Sequence, residues 1–256
     1  MRAFKYATLV TGGSKRIGKA ICRKLASKDN NVIIHYNKSG KEAATLCKQL
    51  NKNNKIESIT VQADLNNPNE IKKIFSLLKK KYIIIDCLIN NASTFNYDNL
   101  KKITNKSWNK HIIPNLYSPL ILSKEFAKHL PSNIKGNIIN IIDQRVLNLT
   151  PHFLSYTVSK SGLWTITKTL ALELAPQIRV NAIGPGPTIK SKFQTEEDFK
   201  LQCQLLPLQS GAKPEEIAET ILFILKVKSI TGQIIALDGG QHLGWGPVKK
   251  KTKALD

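Results

Sequence analysis

Tyr156 and Lys160 stand four residues apart in the stretch "LSYTVSKSGLWTITKTLALELA", whose apolar positions recur at helical spacing. That separation puts both side chains on one face of a helix. A phenol titrates near 10, too high to trade protons readily at neutral pH. A lysine ammonium held beside it favours the phenolate and lowers that value by about one to three pH units. The pair then describes a general acid for a carbonyl or imine under reduction, although taken alone it fits an accidental surface pair better. Other polar residues fall where short apolar runs end. Asn90 and Asn91 close "CLINNAS", Asn115 lies in the helical stretch after it, Asp143 ends "NIINIID", and Pro185 and Gly186 close "IRVNAIGPG".

Those runs must position the chemistry. "YATLV", "NVIIHY", "SITVQ", "IIIDCLI", "NIINII", "IRVNAI" and "QIIAL" are short, β-branched and almost continuously apolar. Such strands suit a parallel sheet covered on both faces. Amphipathic segments separate them, among them "IGKAICRKLASK", "PNEIKKIFSLLKKK" and "PEEIAETILFILK"; the last opens on Pro214 and two glutamates, a good helix start. Strand–helix alternation from end to end predicts one α/β, Rossmann-like, doubly wound domain with about seven parallel strands. Its span is 1–248, with a basic tail at 249–256. In such folds ligands bind at the carboxyl ends of the strands, where the polar residues above are found. The Pro/Gly-rich "GPGPTIKSKFQTEED" breaks the alternation, and its span 186–200 is the candidate lid over that site.

Behind the first strand, "TGGSKRIGKAI" supplies a glycine turn opening a helix. Gly12, Gly13 and Gly18 let the backbone approach a pyrophosphate that helix N–H groups would bind. Arg16 stands where such turns usually carry a glycine. The second strand ends in "HYNKSG", with no acid to hold a ribose diol; it offers His35, Asn37, Lys38 and Ser39, which suit a 2′-phosphate and so NADP. Lys38 also fits an ordinary solvated lysine. Asp64, after the third strand, is placed to meet the adenine or to cap the helix that follows.

Composition bounds the alternatives. The chain has 256 residues, 41% hydrophobic, and a formal charge of +21. The lysines are spread over nearly every helix, and arginine, the preferred fork for phosphates and bases, is scarce, so a nucleic-acid face is not expected. No apolar stretch approaches membrane length, no signal-like start precedes the first strand, and the expected setting is cytoplasmic. The four cysteines form no CxxC, so neither a metal site nor a redox pair is expected.

Taken together, "TGGSKRIG", "ADL", "NNA", Asn115, "YTVSK", "ELAPQIRVNAIGPG", "PEEIAETILFIL" and "TGQIIALDGG" resemble the short-chain dehydrogenase/reductase family across nearly the whole chain. The resemblance implies a nicotinamide cofactor and hydride transfer, with Tyr156 as acid/base. It implies that Lys160 binds the ribose and tunes Tyr156, and that Asn115 helps hold a relay water. It places the cofactor on Gly12, Ser14, Lys15, Arg16, Ile17 and Gly18 of the first turn. Further contacts fall to His35, Tyr36, Asn37, Lys38 and Ser39, to Asp64 and Leu65, to Asn91 and Ala92, and to Lys160, Pro185 and Gly186. Many members are tetramers, so a homotetramer is expected.

Asp143 departs from the family, which mostly places a serine nearby to hold a carbonyl oxygen. A carboxylate there repels a developing oxyanion and suits a substrate with N–H donors. It fits equally as a cap for "QRVL". This departure, Arg16, "NNASTF" and "HYNKSG" resemble the pteridine reductase branch. That resemblance puts Phe95 on the face of a pterin, Ser93 in a hydrogen bond to it, and Asp143 and Tyr156 in proton delivery. It gives Arg16 both the pyrophosphate and the substrate ring; the residue alone leaves Phe95 open to plain core packing. The function expected is NADPH-dependent reduction of a dihydropterin or dihydrofolate. The alternatives are another short-chain reductase, such as one for a 3-oxoacyl thioester, and a non-catalytic dinucleotide-binding regulator. DNA binding that weakens steeply with salt would mark the last of these.

Overall fold

The computed structural model describes residues 6–244; the basic tail at 249–256 lies outside them. Seven strands form one parallel sheet: β1 (Tyr6–Val10), β2 (Val32–Tyr36), β3 (Ser58–Gln62), β4 (Ile84–Asn90), β5 (Gly136–Ile141), β6 (Ile178–Pro185) and β7 (Ile234–Leu237), in the order β3-β2-β1-β4-β5-β6-β7. Every run expected to be a strand is one.

The strands are continuously apolar because both faces are covered. In β2, Ile33 packs into a core with Phe75, Phe126 and Val180, while Val32 and Ile34 point into a second core with Leu25, Leu46 and Ile221. The first core lies under α3 (Pro68–Lys80), α5 (Ser118–His129) and α6 (Leu154–Glu173). The second lies under α1 (Arg16–Ala26), α2 (Gly40–Asn53) and α8 (Pro214–Lys226). Strand order reverses between β1 and β4, which opens a crevice at their carboxyl ends.

Two local expectations change. Asp64 does not cap α3: Asn67 does, accepting the Asn69 N–H at 3.0 Å, with Pro68 behind it. Asp64 instead closes the preceding turn by accepting from Asn66. The lid segment ends early, because α7 (Glu196–Gln204) begins inside it. Thr195 and Asp198 form a reciprocal capping box there, and Glu196, Glu197 and Asp198 suit the positive end of a helix. A shorter helix, α4 (Asn105–Ile112), runs into a π-helical turn at Ile113–Tyr117 that leads into α5. Among the described residues no helix is long and apolar enough to cross a membrane.

One buried polar chain fixes α6 on the sheet. Asn90 on β4 donates to Asn140 on β5 at 2.8 Å, and Asn140 donates to Thr167 on α6 at 2.8 Å. Thr167→Val keeps the shape but leaves the Asn140 N–H facing a methyl group. Urea unfolding should show a loss of about 1–3 kcal/mol, the cost of an unmet buried donor.

Candidate active site

The crevice is a cleft of about 450 Å³ at the β1/β4 reversal. Its walls bring together most of the residues singled out from sequence: Gly12, Lys15, Arg16, Ile17 and Gly18 on one side, Asn91, Ala92, Ser93 and Phe95 on another, and Asp143, Tyr156, Lys160, Pro185 and Gly186 at the base. Ser14, Asn37, Lys38 and Ser39 stand apart from that cleft. Asn37 and Lys38 are exposed at the end of β2, and the Ser14 and Ser39 hydroxyls bond at 2.6 Å. Of these four, Asn37 and Lys38 face solvent, Ser39 is half-buried and Ser14 is buried. Lys15 pairs with Glu42 at 2.6 Å, an acid in α2 that the sequence reading did not weigh.

The glycine turn is tight. Gly12 has φ +60°, and a Cβ on Gly18 would lie 2.2 Å from the Gly12 carbonyl oxygen. Helix α1 has no side chain capping its first N–H groups, which leaves them for an anion. Arg16 also sits in the left-handed region, φ +50°, where a side chain costs roughly 1–2 kcal/mol. Its guanidinium donates to the Ile189 and Lys190 carbonyls, each at 3.0 Å. The loop after β6 is thereby tied to the turn, and no sequence signal announced that contact.

The side chains of His35 and Leu65 are both buried. His35 is buried: Nδ1 accepts the Gly12 N–H at 3.1 Å, and Nε2 meets the Ala63 carbonyl at 3.1 Å. A backbone N–H can only donate, so Nδ1 is unprotonated and His35 is a neutral brace beneath the turn. Burial drives its pKa down from 6.5 to about 4. It offers no charge to a phosphate. Leu65 is buried too, and its carbonyl takes the Ser118 hydroxyl at 2.6 Å. Tyr36 is half-buried against the second core.

At the base, the Tyr156 hydroxyl donates to Asp143 Oδ2 at 2.8 Å. Asp143 Oδ1 accepts the Arg145 N–H at 2.9 Å. The capping role and the role facing Tyr156 are thus both real, one on each oxygen. Lys160 is buried, donates to the Ile141 carbonyl at 2.8 Å, and holds its Nζ 5.8 Å from the Tyr156 ring centre. Burial, then the Asp143 carboxylate, pushes the Tyr156 pKa well above its ordinary value, so the phenol keeps its proton. Burial lowers Lys160 to about 8, against the pull of Asp143, which leaves it charged at neutral pH. With one protein acceptor taken, the ammonium keeps two donors at the cleft wall.

Asn115 is fully buried in the π-helical turn. Its Oδ1 accepts from Ser93 at 3.1 Å and from the Thr94 N–H at 2.8 Å, while Nδ2 donates to the Thr94 carbonyl and to Ser159. That amide has no capacity left for a relay water; it braces the loop after β4. Phe95 is half-buried and parallel to Phe153, centroids 4.3 Å apart and planes 11° apart, with Tyr156 edge-on at 4.8 Å. The Arg145 guanidinium lies 5.0 Å beyond Phe153, so a cation and an aromatic ring back the Phe95 ring at the cleft wall. Arg145 and Phe153 were missed in sequence, since only the fold stacks them.

The chain matches the short chain dehydrogenase family over residues 6–200. It is 31% identical to the 3-oxoacyl-[acyl-carrier-protein] reductase of Buchnera aphidicola, over 95% of this chain and 100% of the relative. Glucose 1-dehydrogenase 2 of Bacillus subtilis is 30% identical over 92% and 94% of the two chains. Among solved structures, FolM alternative dihydrofolate reductase 1 from Brucella suis in complex with NADP superposes with a TM-score of 0.90 at 44% identity, covering 96% of this chain and 98% of that one. The Brucella canis protein of the same name, also with NADP, gives 0.88 at 42% identity, covering 99% of each.

His35 yields a pH test. Its folded pKa is below the unfolded value of 6.5, so below pH 6.5 the unfolded chain binds a proton that the fold rejects. Its contribution is complete above pH 6.5 and is lost as pH falls toward 4. From pH 7 to pH 5 this one group should remove about 2 kcal/mol. Urea unfolding at both pH values should show a flatter loss in His35→Asn; an equal loss rejects the brace.

Proposed function

The chain belongs to the short-chain dehydrogenase family, and on that premise we propose that it is an NADPH-dependent reductase of dihydropterins or dihydrofolate. One observation carries the substrate class: the proton-bearing Tyr156 is hydrogen-bonded to a carboxylate, Asp143, at the cleft base. An oxyanion would be repelled there, whereas an N–H donor is welcomed and a ring nitrogen can take the phenol's proton. The likeness to the two NADP-bound FolM dihydrofolate reductases supports the same reading.

The residues fit the cofactor. Uncapped N–H groups of α1 and the close-packed Gly12 and Gly18 suit its pyrophosphate. The spare donors of Lys160 suit ribose hydroxyls, and Lys38, Asn37, Ser39 and Ser14 suit a 2′-phosphate. Bound there, NADPH supplies the hydride for a C=N bond. Ile17, Asn91, Ala92, Pro185 and Gly186 then form its floor. Asp143 orients the Tyr156 O–H and accepts amino or ring N–H groups of the pterin. Tyr156 hands its proton to the reduced nitrogen. Phe95, backed by Phe153, offers its ring as the stacking face, and Ser93 stands at the rim. Arg16 supplies positive charge where the cofactor and substrate sites meet.

A 3-oxoacyl thioester reductase is the second reading, favoured by the Buchnera relative. NADPH oxidation should proceed with dihydrobiopterin or dihydrofolate and not with ketones or a 3-oxoacyl thioester. Tyr156→Phe should lose about 10²–10⁴-fold in kcat, the usual worth of a positioned proton donor. Thioester turnover with silent pterins transfers the enzyme to the second reading.

The homotetramer is also proposed. Val158 and Leu172 on α6 and Phe223 on α8 are exposed apolar side chains on outward helix faces, which association would cover. Light scattering should give about four times the 28.6 kDa chain mass.

A further inference from the structure

Helix α6 has no cap of its own. Its boundary residue, Phe153, is left-handed and makes no side-chain cap bond. The cap comes from Asp98, in the irregular segment after β4. The Asp98 backbone carbonyl accepts the Phe153 N–H at 3.1 Å, and Oδ1 accepts the Ser155 N–H at 3.1 Å. Asp98 Oδ2 takes the Ser155 hydroxyl proton. His111, in α4, meets Ser155 Oγ through Nδ1 at 2.6 Å, and its Nε2 accepts the Asn96 N–H at 3.0 Å. Since the Asn96 N–H can only donate, the polarity of the chain is fixed: His111 Nδ1–H to Ser155, then Ser155 O–H to Asp98. All three side chains are buried.

The position of this chain is informative. Asn96 and Asp98 closely follow Phe95, and Ser155 immediately precedes Tyr156. The His111 ring also packs edge-on against the Tyr156 ring, centroids 5.9 Å apart. We propose that Asp98, Ser155 and His111 are positioning residues for the substrate, a buried hydrogen-bond clamp that locks the Phe95 segment to the first turn of α6. The clamp sets the spacing between the stacking face and the proton-donating hydroxyl. It rests on the pterin reading, which gives Phe95 that face.

Asp98→Asn keeps the shape and reverses the polarity. The new amide donates to Ser155 Oγ, the Ser155 proton turns to His111 Nδ1, and the His111 proton moves to Nε2, opposite the Asn96 N–H. Two donors then face each other beside Phe95. Ser155→Ala, which removes the central hydroxyl with a good helix former, is the second variant.

Two readouts decide. Amide exchange of residues 94–99 and 153–156 should quicken by roughly tenfold or more, the equivalent of one lost hydrogen bond to a charged group, with the β-sheet unchanged. In steady state the dihydropterin KM should rise about tenfold, with kcat and the NADPH KM changed much less. A lowered melting temperature with an unchanged pterin KM overturns the proposal, as it describes a structural cap only. Unchanged exchange in both variants overturns it as well. If the wild type reduces only thioesters, the pterin reading fails by itself. The exchange arm then still tests the clamp, and the KM arm is read with the thioester.

Discussion

The hydrogen bond from Tyr156 to Asp143 governs the character of this site. A phenol beside an ammonium is eased toward phenolate; a phenol donating to a carboxylate is held as the acid. Here Lys160 is turned to the Ile141 carbonyl and the nearest strong acceptor is Asp143. The phenol is therefore held in its protonated form, and the carboxylate selects what can sit next to it. A developing oxyanion is disfavoured and an N–H-rich ring is favoured. On the proposed reading, substrate class follows from this one side chain, on a scaffold whose other parts serve many reductions.

The scaffold places that bond by simple means. β5 ends at Ile141, so Asp143 emerges at the carboxyl edge of the sheet, two residues on. Helix α6 crosses the same edge, anchored to β4 and β5 by the buried Asn90–Asn140–Thr167 chain. Removing α6 from that anchor would move Tyr156 and Lys160 together. The glycine turn after β1 is supported from below by a neutral histidine, and Asn91 donates to its Thr11 and Gly12 carbonyls. Both walls of the cleft are thus braced by buried hydrogen-bonded polar groups, which help to specify a unique structure.

The strands, their parallel arrangement and the helix-borne Tyr156–Lys160 pair were legible because each rests on local periodicity. Burial on both faces writes itself as unbroken β-branched runs, and an i, i+4 spacing writes itself as one helix face. The protein partners of His35, Lys160 and Asn115 were not legible. In each case the residue was located correctly and its partner was not, because the partner is a carbonyl or N–H brought near by tertiary packing: Gly12 for His35, Ile141 for Lys160, Thr94 for Asn115. Backbone partners have no residue type to read. Of the two roles open to Asp64, the helix cap falls to Asn67, which stands directly before Pro68.

Arg16 shows how the two walls are joined. A glycine in its place would meet its left-handed backbone at no steric cost, so the arginine has to return that cost through its side chain. It does so across the mouth of the cleft, on the Ile189 and Lys190 carbonyls. The same loop reaches the opposite wall, where Lys192 donates to Asn96 at 3.0 Å. Asn96 in turn gives its N–H to His111, which packs on Tyr156. An unbroken set of contacts therefore runs from the glycine turn, over the roof, to the helix that bears Tyr156. The cation that looked misplaced in a phosphate-binding turn is the near end of that set.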